Sequence, residues 1–372
     1  TQLSKYSGRE NEYINSISRS GLNSLLLDEL DKYDNVSIYF NSPCVEVDLK
    51  EAEVVVKDQE NDSTTKLTAD YLIGTDGAGS VVRKTMQQQR GFLFSHSQEF
   101  LTHGYKELTF PATNDNDYAA FKNALHIWPR GENMLIALPN LDKSFTVTLF
   151  LAYEGGEFNF NNLTTEDKVE EYFKKVYPDA YELMPQLKTE FFENPTAPLG
   201  TIKCSPWHFE KSLIMGDAAH AIVPFYGQGM NASFEDVVVF DDILEEQDFD
   251  VAKAISAFSH RRKKDTDAIA DLALDNFHEM KSHTAKDLFM AKREIELSLE
   301  ENPATDYYSK YSLVTFTEEK PYSFALKNGR AQDKAILKLL KENELHQKMN
   351  AQEQLRLIEE KTSEILEDEA ML

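Results

Sequence analysis

Between residues 70 and 83 the chain reads DYLIGTDGAGSVVR: an apolar run into Gly74, a turn holding Gly77 and Gly79, and a helix start at Ser80. A short apolar strand that breaks on glycine and continues as a helix belongs to an α/β sheet. The glycines let backbone amides approach an anionic group, and the helix N-terminus favours negative charge. Asp76 can accept hydrogen bonds from ligand hydroxyls or organise the turn. Arg83, three residues past Ser80, falls on the helix face nearest such an anion. Taken alone, the pattern serves equally well as a plain strand-to-helix turn.

A second segment of the same style lies about 140 residues further on. SLIMGD (212–217) is an apolar strand ending at Gly216 and Asp217, where a carboxylate is placed to accept from a ribose-type hydroxyl. It runs on as AAHAIVPFYGQGMNASFED. Pro224 stiffens the approach, and Phe225 and Tyr226 supply aromatic surface. Gly227, Gln228, Gly229, Met230 and Asn231 offer backbone amides at a helix start, suited to a flat ring that gains negative charge. His220 beside a strand end reads as structural rather than catalytic.

Between the two glycine segments the pattern changes. ALHIWPR (124–130), NMLIALPN (133–140) and SFTVTLFLAY (144–153) read as strands of one antiparallel sheet. TTEDKVEEYFKKVYPDA (164–180) reads as an amphipathic helix with a Thr/Glu-type capping start. Upstream, 18–33 predicts a helix capped by Ser18 or Ser20, NVSIYF (35–40) a strand, and EAEVVVKD a hairpin with KLTADYLIG. Beyond about residue 235 nearly everything is helical, ending in an acidic amphipathic tail with Leu345, Met349, Ile358, Ile365 and Leu372 on its apolar side. The fold class is therefore α/β, or α+β overall: a Rossmann-type domain in two parts (1–94 and 197–270), an inserted antiparallel-sheet domain (95–196) and a helical C-terminal region (271–372).

Bulk properties exclude several functions. The net charge is −25, from 64 acidic and 39 basic residues, which argues against nucleic acid or an anionic membrane as the main partner. Two cysteines, Cys44 and Cys204, are too few for a disulfide framework and read as free thiols of a reducing compartment. No metal-binding spacing and no G-x-S-x-G elbow occurs, and no carboxylate pair stands out as acid and base. Chemistry in such a chain comes from a bound cofactor.

DYLIGTDGAGSVVR and GDAAHAIVPFYGQGMNASFED together resemble the second and third fingerprints of the single-component FAD-dependent aromatic hydroxylases. HGYKEL (103–108), LHIWPR (125–130), MLIALPN (134–140), SFTVTLF (144–150) and YSLVTF (311–316) narrow the resemblance to members that hydroxylate L-kynurenine at ring carbon 3. It extends to about residue 320. The resemblance implies FAD as cofactor, with NADPH and O2 as co-substrates. The flavin would be reduced and then form a C4a-hydroperoxide that delivers oxygen to the ring carbon ortho to the aniline nitrogen.

Carried over position by position, Arg19 is similar to the arginine near the flavin phosphates, and Asp217 to the acid on the ribityl or pyrophosphate side. Residues 227–231 resemble the turn along the isoalloxazine. The aniline pocket implied is Leu125, Ile127, Met134, Leu138, Phe150, Pro224 and Phe225, each of which also suits plain core packing. Tyr13, Asn276 and Tyr311 resemble the residues at the amino-acid end of the substrate. Ser233 stands where the family most often has glycine. The family's first fingerprint, G-x-G-x-x-G after an N-terminal strand, has no counterpart here and is expected ahead of Thr1, as is the basic partner of the substrate carboxylate. Two alternatives stay open: a related flavin hydroxylase of another aromatic compound, and a non-catalytic truncated fragment. The soluble acidic tail implies a cytoplasmic, bacterial-type protein without a membrane segment.

Overall fold

The computed structural model describes residues 5, 7–281 and 286–371. They form two compact units, Asn15–Pro224 and Phe225–Leu372 with Thr1–Ile14.

In the unit Asn15–Pro224, α1 (Arg19–Leu30) starts where Ser18 accepts from the Gly21 amide. The strand expected over 35–40 is absent. Those residues are irregular, with Val36, Ile38, Tyr39 and Phe40 exposed. Their β-branched and aromatic side chains favour a strand only where a neighbouring strand takes the backbone hydrogen bonds, and no described strand does. Next come β1 (Cys44–Asp48), β2 (Glu53–Lys57) and β3 (Thr64–Thr68), an antiparallel sheet in sequence order. The expected hairpin forms, with Val54 opposite Leu67. Then β4 (Leu72–Gly74) leads through the first glycine turn into α2 (Val81–Gln87).

A five-stranded antiparallel sheet follows. Its strands are β5 (Ser95–Phe110), β6 (His126–Arg130), β7 (Asn133–Pro139) and β8 (Phe145–Ala152), and, after three helices, β9 (Ala197–Ser205). The helices are α3 (Glu166–Val176), α4 (Pro178–Tyr181) and α5 (Leu187–Glu193). Strand order is β6-β7-β8-β5-β9. One face packs on the helices: Leu108, Phe110, Leu135, Val147 and Leu149 meet Val169, Tyr172 and Phe173, all nearly or wholly buried. Side chains alternate along a strand, so the residues between these point to the opposite face.

The chain returns through β10 (His208–Phe209) and β11 (Ser212–Ile214), which runs parallel to β4 with Leu213 opposite Ile73. The second glycine turn opens α6 (Asp217–His220).

The other unit is helical: α7 (Gly229–Glu246), α8 (Val251–Lys281), α9 (Lys286–Glu301), α10 (Lys310–Thr315), α11 (Tyr322–Lys341) and α12 (Ala351–Ala370). The acidic tail packs on this body. Leu345 and Ile358 are buried with Ile295, Leu299 and Ile336, and Met349 packs beside them. Ile365 is half-buried, and Leu372 lies outside the described residues.

Candidate active site

The two glycine turns, far apart in sequence, emerge side by side from the carboxyl ends of parallel strands, the place where open α/β sheets bind ligands. The Met215 amide donates to the Gly74 carbonyl (3.0 Å). Gly77 and Gly216 take φ of +74° and +57°, which L side chains rarely adopt. Asp76 organises the first turn, because its Oδ2 accepts from the amides of Val81 (2.7 Å) and Val82 (3.4 Å). The Ser80 hydroxyl caps the Arg83 amide (2.9 Å).

Arg83 is 3 % exposed, and its Nη1 donates to the Ala218 carbonyl at 2.6 Å. Its Nη2 donates to the Ala78 carbonyl. Arg83 therefore fastens one turn to the other, with one bond from each terminal nitrogen to a backbone carbonyl. In front of the first turn there is room: a Cβ built on Gly77 or Gly79 meets no atom within 4 Å. Asp217 is exposed, yet desolvation by nearby protein raises its carboxyl above the ordinary range, while His220 and Arg19 pull it down. Arg19 also pairs with Glu107 of β5 (Nη1 to Oε1, 3.5 Å). His220 is buried against Trp207, ring centres 5.2 Å apart, in keeping with a structural role.

The sheet face away from the α3–α5 helices carries four of the expected pocket residues. Met134 is directly opposite Phe150, Ile127 opposite Ile136, and Leu138 opposite Thr146. Met134 and Phe150 are buried, Leu138 is half-buried and Ile127 is 50 % exposed. Leu125 precedes β6 and is half-buried, and Pro224 is exposed at the end of this unit.

In the helical unit the GQGMN turn has the geometry expected of it. Gly227 has φ of +69°, and α7 begins at Gly229 with no side-chain cap on its first amides. The Asn231 amide group donates to Gln228 Oε1 (2.8 Å), and the Ser233 hydroxyl donates back to the Gly229 carbonyl (3.0 Å). Serine at 233 is thus accommodated within the helix. A cavity of about 170 Å³ is lined in part by Tyr226, Asn276 and Tyr311. The Asn276 side chain donates to the Phe225 carbonyl (2.6 Å), and Tyr226 stacks on Tyr311 with centroids 5.7 Å apart. Phe225 packs against Phe277 at 4.8 Å. Burial raises the Tyr311 hydroxyl above its ordinary range, so it stays protonated and able to donate. Tyr13 does not join them: it is 67 % exposed and outside the cavity lining. The same cavity is lined by Lys292, Lys310 and Glu279, which no local motif announced.

In the unit Asn15–Pro224 the open glycine turns suit a phosphate-bearing ligand; taken by itself, the uncapped start of α7 in the helical unit suits a group that gains negative charge. Among the described residues no group of His, Cys, Asp or Glu could hold a metal. Parallel strands ending in such turns, with a large antiparallel sheet inserted between them in the chain, form the framework of an α/β domain for a nucleotide-type cofactor. The FAD binding domain family matches residues 4–247. Solved structures of this fold include 2-methyl-3-hydroxypyridine-5-carboxylic acid oxygenase (TM-score 0.55, 18 % identity, 76 % of this chain and 73 % of that one). Klebsiella pneumoniae HpxO, complexed with FAD and uric acid, is another (TM-score 0.54, 16 % identity, 74 % and 67 %). Curated relatives are much nearer in sequence. The kynurenine 3-monooxygenase of Dictyostelium discoideum is 41 % identical over 352 residues, covering 91 % of this chain and 75 % of the relative. That of Flavobacterium johnsoniae is 42 % identical over 361 residues, covering 97 % and 79 %. The chain belongs to the kynurenine 3-monooxygenase family of FAD-dependent enzymes.

Proposed function

We propose that this protein hydroxylates L-kynurenine to 3-hydroxykynurenine, with FAD as cofactor and NADPH and O2 as co-substrates. The reading is carried by the 41 % and 42 % identity to kynurenine 3-monooxygenases along more than nine-tenths of the chain. FAD, when bound, supplies the redox chemistry, accepting a hydride from NADPH and activating O2 so that one oxygen atom enters the ring and the other leaves as water.

The chain's own residues bind, orient and exclude water. Gly77 and Gly79 give room for close backbone approach, Gly216 makes the second turn, and Asp217 is the acceptor for ribityl hydroxyls. Arg83 keeps the two turns in register, and Arg19 adds positive charge near Asp217. The amides of Gly229, Met230 and Asn231 favour negative charge on a ring that takes up electrons. Met134, Leu138, Phe150 and Ile127 form an apolar wall for the aniline ring, with Leu125, Pro224 and Phe225 as further apolar surface. Asn276 and Tyr311 hold the amino-acid end. The ring amino group already activates the carbon to be hydroxylated, so positioning and dryness do most of what the protein must do. That accounts for a site without an acid–base pair. No described helix is long and apolar enough to cross a membrane.

The test is NADPH oxidation by the FAD-loaded protein, with products analysed by mass spectrometry. L-Kynurenine should stimulate oxidation and yield a product one oxygen atom heavier. A flavin-loaded protein that oxidises NADPH at the same rate with and without kynurenine, and forms no such product, refutes the substrate.

A further inference from the structure

Among the described residues α7 packs by one face. Met230, Phe234, Val237 and Val238 are exposed, and the buried residues are Ala232, Asp236, Phe240 and Ile243. The apolar grip comes late in the helix, where Phe240 meets Phe258 of α8 with ring centroids 5.6 Å apart and Ile243 is fully buried. The first two turns bury only the methyl of Ala232 and the carboxylate of Asp236. Yet this is the end that has to be aimed. The amides of Gly229, Met230 and Asn231 have no carbonyl behind them within the helix, and no side chain caps them.

Arg262 of α8 holds that end. Its side chain is 3 % exposed, and its Nε donates to Asp236 Oδ1 at 2.8 Å. Nη1 pairs with Glu235 Oε1 at 3.0 Å, and Nη2 donates to Glu235 Oε2 (3.2 Å) and to the Ala232 carbonyl (3.3 Å). A planar fork that reaches residues 232, 235 and 236 together fixes α7 in depth and in rotation, which apolar contact alone does not. A buried ion pair adds little net stability over an apolar pair of the same volume; what it supplies is direction. Gln228 at the helix start is tied as well. It is buried, and its Oε1 accepts from the Asn231 side chain (2.8 Å) and from the Tyr322 hydroxyl of α11 (3.4 Å). Burial, with the Glu235 carboxylate nearby, pushes that hydroxyl up to about 12, so it keeps its proton to donate. Asp265 of α8 accepts from the Ser323 amide at 2.9 Å and joins the two supporting helices beside Tyr322. The Gln228 oxygen is thus spent on side chains, and the first amides of α7 stay open.

We infer that Arg262 is a positioning residue: by gripping Ala232, Glu235 and Asp236 it keeps the amides of Gly229, Met230 and Asn231 aimed at the ring that takes up electrons. The inference rests on the placement of that turn against the flavin proposed above, and it adds what holds the turn there. Arg262 touches neither cofactor nor substrate in this role and acts through the helix it fixes. The pull of a helix start on negative charge fades within about one turn, so a small tilt of α7 is enough to weaken it.

The experiment measures the midpoint potential of the FAD-loaded protein by equilibration with a reference dye, beside its melting temperature. The variant Arg262→Met with Asp236→Leu keeps the net charge and replaces the ion pair by apolar side chains, so it should melt within about 4 °C of wild type. Its preference for reduced over oxidised flavin should fall roughly 3- to 10-fold, a potential about 15 to 30 mV more negative for a two-electron couple. Failure to retain FAD at unchanged melting also supports the role. A variant that melts far below wild type assigns the pair to stability alone, and an unmoved potential shows that the turn needs no such anchor; either overturns the inference. Asn231→Asp, which puts a carboxylate in the turn itself, scores the placement beneath it and should lower the potential whatever holds α7. An unmoved potential there removes the turn from the ring, and this inference with it. A lowered one, beside an unmoved potential in the Arg262 variant, sinks the positioning role alone. Neither readout involves L-kynurenine, so the substrate proposal stands or falls separately.

Discussion

The carboxyl of Asp217 is pushed up by desolvation, with His220 and Arg19 opposing. A carboxyl raised in the folded state binds protons there more readily than in the unfolded chain, so its ionisation works against folding. That penalty is absent below the ordinary value of 3.8, grows as pH rises through it, and is complete above the raised folded value. With both proteins stripped of flavin, Asp217→Asn should therefore melt at a higher temperature than wild type at neutral pH, the gap closing as pH falls towards 3.8. The same substitution should lose FAD on dialysis, since an amide offers hydroxyls no anionic acceptor. Melting curves over a pH series, with flavin content after dialysis, check both halves; identical melting at every pH removes the desolvation claim. Asp217, Gly77 and Gly216 were readable because strand-glycine-helix punctuation is local. Arg83 was readable only as a basic residue on the right face, since its partner Ala218 lies 135 positions away. The Arg262–Asp236 contact left no local trace at all, and Tyr13 was placed by resemblance alone and stands outside the cavity.

At the level of elements, α3 shows how a local signal becomes tertiary stability. Thr165 accepts from the Lys168 amide, Glu166 and Asp167 occupy the first turn, and Lys174 and Lys175 the last. Charges so placed oppose the helix dipole favourably. The residue reciprocating the cap is a lysine, so the Thr/Glu box expected from the sequence is half present. One face of α3 buries Val169, Tyr172 and Phe173 against the five-stranded sheet. Thr165→Ala should cost about 1 kcal/mol, read as a lower urea midpoint at unchanged slope. No shift in midpoint would mean the cap is replaced by water without loss. Strands β2, β3, β6, β7 and β8 were legible because each is a short run rich in apolar or β-branched residues bounded by turn residues. The segment 35–40 has a similar composition but no strand beside it among the described residues, and composition alone does not say whether a strand has a neighbour.

Across the whole molecule the chain leaves one unit for the other at Ile14–Asn15 and returns at Pro224–Phe225, so its first residues belong with its last helices. Residues 7–9 form a strap on that helical unit. Ser7 is buried, the Gly8 amide donates to Glu300 Oε2 (3.2 Å), and Arg9 donates to the Tyr307 carbonyl (2.6 Å) with its guanidinium 3.8 Å over the Tyr308 ring. Tyr307 and Tyr308 lead directly into α10, which carries Lys310 and Tyr311, so the strap braces a wall of the cavity. Its fit depends on a missing side chain: a Cβ on Gly8 would lie 2.5 Å from the Glu301 nitrogen and 2.7 Å from the Leu297 oxygen. Both are backbone atoms of α9, anchored by Ile295 and Leu299 in the helical core, so the strap and not the helix must move. Gly8→Ala should therefore destabilise the protein by about 1–3 kcal/mol, the usual range for overpacking. It should also speed proteolytic cleavage within the first fourteen residues. Denaturant midpoint and digestion rate measure the two effects independently, and a variant matching wild type in both would show that the strap is dispensable to the unit it binds.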